Sequence, residues 1–155
     1  IAHLAGPVTL QVSRLRLQGY IDALQKHQLP LDQDLIVYHD LTEEHARICT
    51  RQLLDLPQPP DAIFAVNDPC AIEIMLIAKE RGINIPQNLG IVGFSNDPIS
   101  AIIEPSLTTV EQPVWKIGEE SARLLLEQME HPTVEKRMLA TRLIVRKSSQ
   151  RSLPI

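Results

Sequence analysis

Ala62-Ile63-Phe64-Ala65-Val66-Asn67-Asp68 is a short apolar run closed by two polar residues, and its reading decides the fold. It is long enough for a strand, rich in β-formers, and bounded by turn chemistry, with the breaker string Pro57-Gln58-Pro59-Pro60 just before it. Behind it, Asp68 is placed to cap a helix and Pro69 to take its first position, where a missing N–H costs nothing. Apolar residues from Ala71 to Ala78 carry that helix towards Gly82, a good left-handed stop. A buried strand thus delivers Asn67 and Asp68 to its carboxyl end where a helix begins. In open α/β sheets that edge is where ligands bind.

The same unit recurs on both sides. Ile1-Ala2-His3-Leu4-Ala5 reads as a strand stopped by Gly6-Pro7, then a helix from about Thr9 or Ser13 to Gln28, with Leu17, Tyr20, Ile21 and Leu24 in helical spacing. Leu35-Ile36-Val37-Tyr38 is a second strand, and Thr42-Glu43-Glu44 opens a helix with acids at its positive end. Gly90-Ile91-Val92-Gly93-Phe94 is a fourth strand leading into Ser95-Asn96-Asp97-Pro98. Alternation of strand and helix at roughly 30-residue spacing predicts βαβ crossovers and a parallel, Rossmann-like α/β sheet with helices on both faces. The rhythm then changes. Leu107-Thr108-Thr109-Val110 is extended, a helix over 113–130 carries a stripe at Val114, Ile117, Ser121, Leu124 and Leu125, and 138–145 alternates like an edge strand. Residues 147–152 read as a disordered tail.

Composition limits the function classes. A chain of 155 residues with 44% apolar content is the size of one domain. Its net charge of −4 argues against this piece gripping a nucleic-acid backbone by itself. Cys49 and Cys70 are far apart with no CxxC, which reads as two core thiols in a reducing, cytoplasmic compartment. No run approaches the ~18 apolar residues of a membrane span. The opening at Ile1, without Met, reads as a piece of something longer. Gly93-Phe94-Ser95-Asn96-Asp97 begins like a nucleophile elbow but lacks the second glycine and a following His–acid pair, so no catalytic residue is assigned. No GxGxxG follows the first strand, and the five histidines are scattered, so neither a cofactor nor a metal is expected.

What remains is a ring of polar residues at strand ends: Arg16, Asp40, Asn67, Asp68, Ser95 and Asn96, with Gln112 where the chain crosses onward. A guanidinium makes two parallel hydrogen bonds to hydroxyls or a carboxylate, and an asparagine both donates and accepts, so the set suits a small polar molecule. On pattern alone Arg14 and Arg16 read equally well as solvated helix residues, and Asp68 as a cap and nothing more.

The ordered motifs Ala5-Gly6-Pro7, Arg14-Leu15-Arg16-Leu17-Gln18-Gly19-Tyr20, Ala65-Val66-Asn67-Asp68, Ile91-Val92-Gly93-Phe94, Pro105-Ser106-Leu107-Thr108-Thr109-Val110-Glu111-Gln112 and Leu143-Ile144-Val145-Arg146 resemble the LacI/GalR family of bacterial transcriptional regulators. The resemblance implies a periplasmic-binding-protein-like fold of two lobes with an effector between them. Residues 1–112 would be the C-terminal lobe, 113–137 a helix returning to an N-terminal lobe outside this chain, 138–147 a closing strand and 148–155 a tail. It implies effector contacts at Arg16 and Asn67, with Leu41, Ser95, Asn96 and Gln112 around them and Asp68 as cap or support. Ser95 stands where many members carry an acid that binds sugar hydroxyls, and Leu41 where many place a stacking aromatic. The implied partners are a small-molecule effector such as a sugar, a second copy in a homodimer, and operator DNA through a headpiece outside this chain. A periplasmic solute-binding protein of a transporter shares the fold and is the rival reading; an upstream helix-turn-helix or secretion signal separates the two.

Overall fold

A computed structural model describes residues 1–130 and 135–151. Four strands, β1 (Ala2–Ala5), β2 (Ile36–Tyr38), β3 (Ala62–Ala65) and β4 (Gly90–Val92), form one parallel sheet in the order β2-β1-β3-β4. Helix α1 (Gln11–Lys26) covers one face; α2 (Glu43–Leu54) and α3 (Asp68–Glu80) cover the other. The predicted α/β class is therefore the observed one. Alternation along the strands builds it: Ala2, Leu4, Ile63, Ala65 and Ile91 face α2 and α3, while Ala5, Ile36 and Phe64 face Tyr20 and Leu24 of α1. The helix α3 is apolar on most sides because it lies between the sheet and α2, with Cys70, Ala71, Ile74, Met75, Ile77 and Ala78 all buried.

The caps follow local chemistry. Thr42 Oγ1 accepts from His45 N at 3.2 Å to start α2. Helix α3 stops where expected, at Gly82 with φ 67°. Its cap differs from expectation. Asn67, not Asp68, closes the N-terminus, its Oδ1 accepting from Cys70 N at 3.0 Å. Asp68 is the first helical residue, and its carboxylate is engaged by partners from other elements instead.

After β4 come the short helix α4 (Ile99–Ile102), β5 (Thr109–Glu111), α5 (Val114–Glu130) and β6 (Arg142–Ile144). Strand β5 pairs antiparallel with β6, and parallel bridges Val92–Thr108 and Ser95–Glu111 tie that ribbon to the edge of β4. The closing strand is shorter than the predicted 138–145. The expectation of a disordered tail is overturned for residues 147–151. Lys147–Ser149 form a 3-10 turn, and buried Ser148 donates to Ile91 O at 2.6 Å while accepting from Thr108 N at 2.8 Å. Those two backbone groups lie at a sheet edge and need partners, which a serine hydroxyl supplies both ways. Residues 152–155 lie outside the described part. Helix α5 buries none of its residues: Trp115 is 88% and Leu126 64% exposed, so its apolar stripe is uncovered here.

The central strand carries a histidine. His3 is fully buried, stacked between Tyr20 and Phe64, with Nδ1–H donating to Phe64 O at 2.8 Å. Burial drives its pKa down from 6.5 to about 4, and burial lowers that of His39 as well. Both are neutral in the fold but take up protons readily once unfolded. Stability from His3 is thus complete above pH 6.5 and is lost as pH falls from there towards 4. Urea unfolding should show a loss of about 2 kcal/mol between pH 7.5 and 5, and His3→Phe should flatten much of that slope. A flat wild-type profile over this range would contradict the assignment.

Candidate functional site

Four elements converge at the carboxyl edge of the sheet. Arg16 comes from the second turn of α1 and reaches over the ends of β3 and β4. Its Nη1 donates to Val66 O at 2.5 Å, and its guanidinium carbon sits 3.8 Å from the centre of the Phe94 ring, a cation–π seat. Its Nε is buried without a partner among the described residues. Burial pulls the guanidinium below its ordinary pKa, the charge of Asp68 opposing, yet an arginine stays charged. The group is therefore half-anchored, with donor capacity to spare. Arg14, by contrast, is exposed and donates to Val8 O and Thr9 O.

Beside Arg16 lies Asn67, half-buried; its Oδ1 is spent on the cap, and its Nδ2 has no partner among the described residues. Asp68 is fully buried and ties the edge together. Its Oδ1 accepts from Thr109 Oγ1 at 2.5 Å, its Oδ2 accepts from Asp97 N at 2.7 Å, and its own N–H donates to Phe94 O at 3.0 Å. One carboxylate thus joins α3, the turn after β4 and strand β5. Support of the edge, rather than capping, is what this geometry assigns to it.

The remaining predicted residues divide. Gln112 follows β5 and lines a cavity of about 680 Å³ together with Arg16 and Phe94. Leu41, Asn67, Ser95 and Asn96 do not line that cavity. It runs along α1 past Tyr20 and Leu24 to His27 and is mostly apolar, so only its upper end belongs to the polar rim. Leu41 has φ 71° and its N–H donates to His39 Nδ1 at 3.0 Å, which places it beyond the end of β2 at the far side of the rim. Ser95 holds φ 131° and donates its N–H to Val110 O at 2.9 Å. Asn96 turns its side chain away, accepting from Arg146 Nη2 at 2.8 Å and donating to Glu111 Oε1 at 3.1 Å. Asp40 accepts from Thr42 N and Oγ1, which hold its carboxyl below the usual range, and stays exposed.

Sequence reasoning missed Phe94, Thr109 and Arg146. By sequence Phe94 is only the end of a strand; in a chain with 3% aromatic residues, an aromatic at a strand's carboxyl end is the available signal. Thr109 and Arg146 matter only because separate segments meet, and no local pattern marks them. Both thiols are free and buried, and burial pushes that of Cys70 up to about 12, so neither is a nucleophile in the fold. Among the described residues no cluster of His, Cys, Asp or Glu is disposed to hold a metal ion, and no helix is long and apolar enough to cross a membrane.

A parallel sheet with polar groups from several strand ends gathered around one arginine places them at the edge where open α/β sheets bind ligands. The chain belongs to the family of periplasmic binding protein-like domains, whose model matches residues 1–149. Among its relatives is the HTH-type transcriptional repressor CytR of Escherichia coli (strain K12), 39% identical over 99% of this chain and 46% of that protein. The ribose operon repressor of Halalkalibacterium halodurans is 34% identical over 97% of this chain and 45% of its own length. Among solved structures, the complex of the transcriptional regulator CelR with cellobiose superposes with a TM-score of 0.88 at 33% identity, over 96% of this chain and 46% of that one. A LacI-family regulatory protein from Chloroflexus aggregans gives 0.88 at 37% identity, over 96% of this chain and 54% of its own. These relatives are transcriptional repressors and regulators, one of them of the LacI family, which favours a regulator's effector-binding domain over a transporter's solute-binding protein. The chain spans about half the length of the relatives it matches.

Proposed function

We propose that this chain senses a small polar effector for a LacI-type transcriptional regulator in the cytoplasm. The effector lies over the carboxyl edge of the sheet, held by Arg16, Asn67 and Gln112 with the Ser95 turn and Leu41 at its sides, and Asp68 supports the rim. The observation that carries the reading is the Arg16 guanidinium, seated on Phe94 and anchored to Val66 O, with its buried Nε unpartnered among the described residues. The uncovered stripe of α5 fits the helix to a second lobe that closes over the effector. On another face Ile102 is 81%, Ile99 44% and Leu76 40% exposed, an apolar surface suited to a second copy in a homodimer. Effector binding then shifts the lobe arrangement, and with it the spacing of two DNA-binding headpieces, by as much as its affinity differs between the two arrangements.

A thermal-shift screen of the intact protein against neutral sugars, sugar acids, nucleosides and nucleobases tests this. At least one class should raise the midpoint in a concentration-dependent way. No response from any of them, or sedimentation of the intact protein as a monomer at micromolar concentration, would count against the effector and the dimer respectively.

A further inference from the structure

The turn after β4 is held by more than its backbone. Ser95 and Asn96 both have positive φ, 131° and 55°, which non-glycine residues adopt rarely and keep only where their surroundings over-determine it. Here Asn96 N donates to Thr109 Oγ1 at 3.2 Å, and the side chain bridges two further segments. Its Nδ2 donates to Glu111 Oε1 of β5 at 3.1 Å; its Oδ1 accepts from Arg146 Nη2 at 2.8 Å. The other arm of that arginine, Nη1, donates to Ser100 Oγ at 2.9 Å and Leu107 O at 2.8 Å. Strand β5 leads into α5, and Arg146 lies just past β6, on the segment that returns from it. One amide therefore touches the rim turn, the chain entering α5 and the chain leaving it.

We propose that Asn96 and Arg146 form a latch that makes the rim turn and both strands flanking α5 one mechanical unit, so that displacement of the turn reaches α5 from both ends. Asn96 is then a positioning residue and not an effector contact. The physical basis is a set of hydrogen bonds from a charged, half-buried donor, about twice as strong as neutral ones. A ribbon pairing only three residues on each strand has little order of its own and takes it from such an attachment. The proposal rests on the effector reading only for what displaces the turn.

Hydrogen exchange on the intact, ligand-free protein tests the latch. Asn96→Gly keeps the positive φ and removes the side chain. Asn96→Asp combined with Glu111→Gln keeps the acceptor facing Arg146 without setting two carboxylates against each other. In the wild type Arg146 N donates to Thr108 Oγ1 at 2.7 Å and Ser148 N to Ser106 O at 2.9 Å. Asn96→Gly should speed exchange about tenfold at these amides and at Ser95, leave β1–β3 unchanged, and the Asn96→Asp, Glu111→Gln pair should restore protection at Arg146. Acceleration confined to residues 95–97, no acceleration, acceleration spread evenly into β1–β3, or failure of the paired variant to restore protection would each overturn the latch. No ligand enters the measurement, so a failed effector screen leaves its outcome intact.

Discussion

Gly93→Ala should lower the stability of this domain by about 3–5 kcal/mol, the cost of leaving a buried carboxylate without its partners. A Cβ at position 93 would stand 2.2 Å from Asp68 Oδ1 and 3.2 Å from Ala71 Cβ. The carboxylate cannot step aside cheaply. It is fully buried, and moving it breaks the bonds from Thr109 Oγ1 and Asp97 N together. Strand β4 supplies its own control at its other end. The Cβ of Gly90→Ala meets Ala62 Cβ at 3.6 Å, an ordinary contact, and should change stability by less than about 1 kcal/mol. Urea unfolding of the two variants side by side reads the difference. Equal midpoints would mean that Asp68 has somewhere else to go. Since whole domains are stable by only about 5–15 kcal/mol, the Gly93 variant should also be depleted in cells.

Arg16→Ala should weaken effector binding by about 2 kcal/mol or more, roughly thirtyfold, while the protein stays folded. The group lost is charged and makes directional bonds, and the effector's acceptors would be left without that donor. The bond from Arg16 Nη1 to Val66 O is also lost, and because Val66 is buried the variant should give up about 1–3 kcal/mol of stability, less than the roughly 5–15 kcal/mol that holds a domain folded. Arg16→Lys separates charge from geometry, because an ammonium cannot make the fork or lie flat on Phe94, and it should rescue little. Arg14→Ala, two residues away and exposed, should bind like the wild type. Calorimetry on the compound found by thermal shift measures all four proteins. Unchanged affinity in Arg16→Ala would remove this residue from the site.

The same residues show how far the amino-acid order reaches. Strand β3 and the helix behind it were legible because every cue is local: breakers before, an apolar run, a capping residue, a glycine after. The identity of the cap was not. Asn67 and Asp68 are both good caps, and the choice fell to Asn67 because Thr109 and Asp97, 41 and 29 residues further on, occupy the carboxylate of Asp68. Tertiary partners overrode a preference that is nearly equal for the two side chains. The tail misled for a similar reason. Lys147-Ser148-Ser149 is polar and short, yet Ser148 completes the hydrogen bonding of two edge backbone groups that only the assembled sheet brings to it.

Local order alone therefore determined the α/β class, the position of each parallel strand and the presence of polar residues at their carboxyl ends, because alternation and helical spacing act within a few residues. Tertiary structure alone decided which of those residues stand open at the rim and which are spent on one another. Arg16 is committed to the rim by Phe94 and Val66, whereas Asn96 is drawn off it by Arg146 and Glu111. A buried or half-buried polar group takes the partners that folding places within reach, and sequence spacing carries no record of who they are.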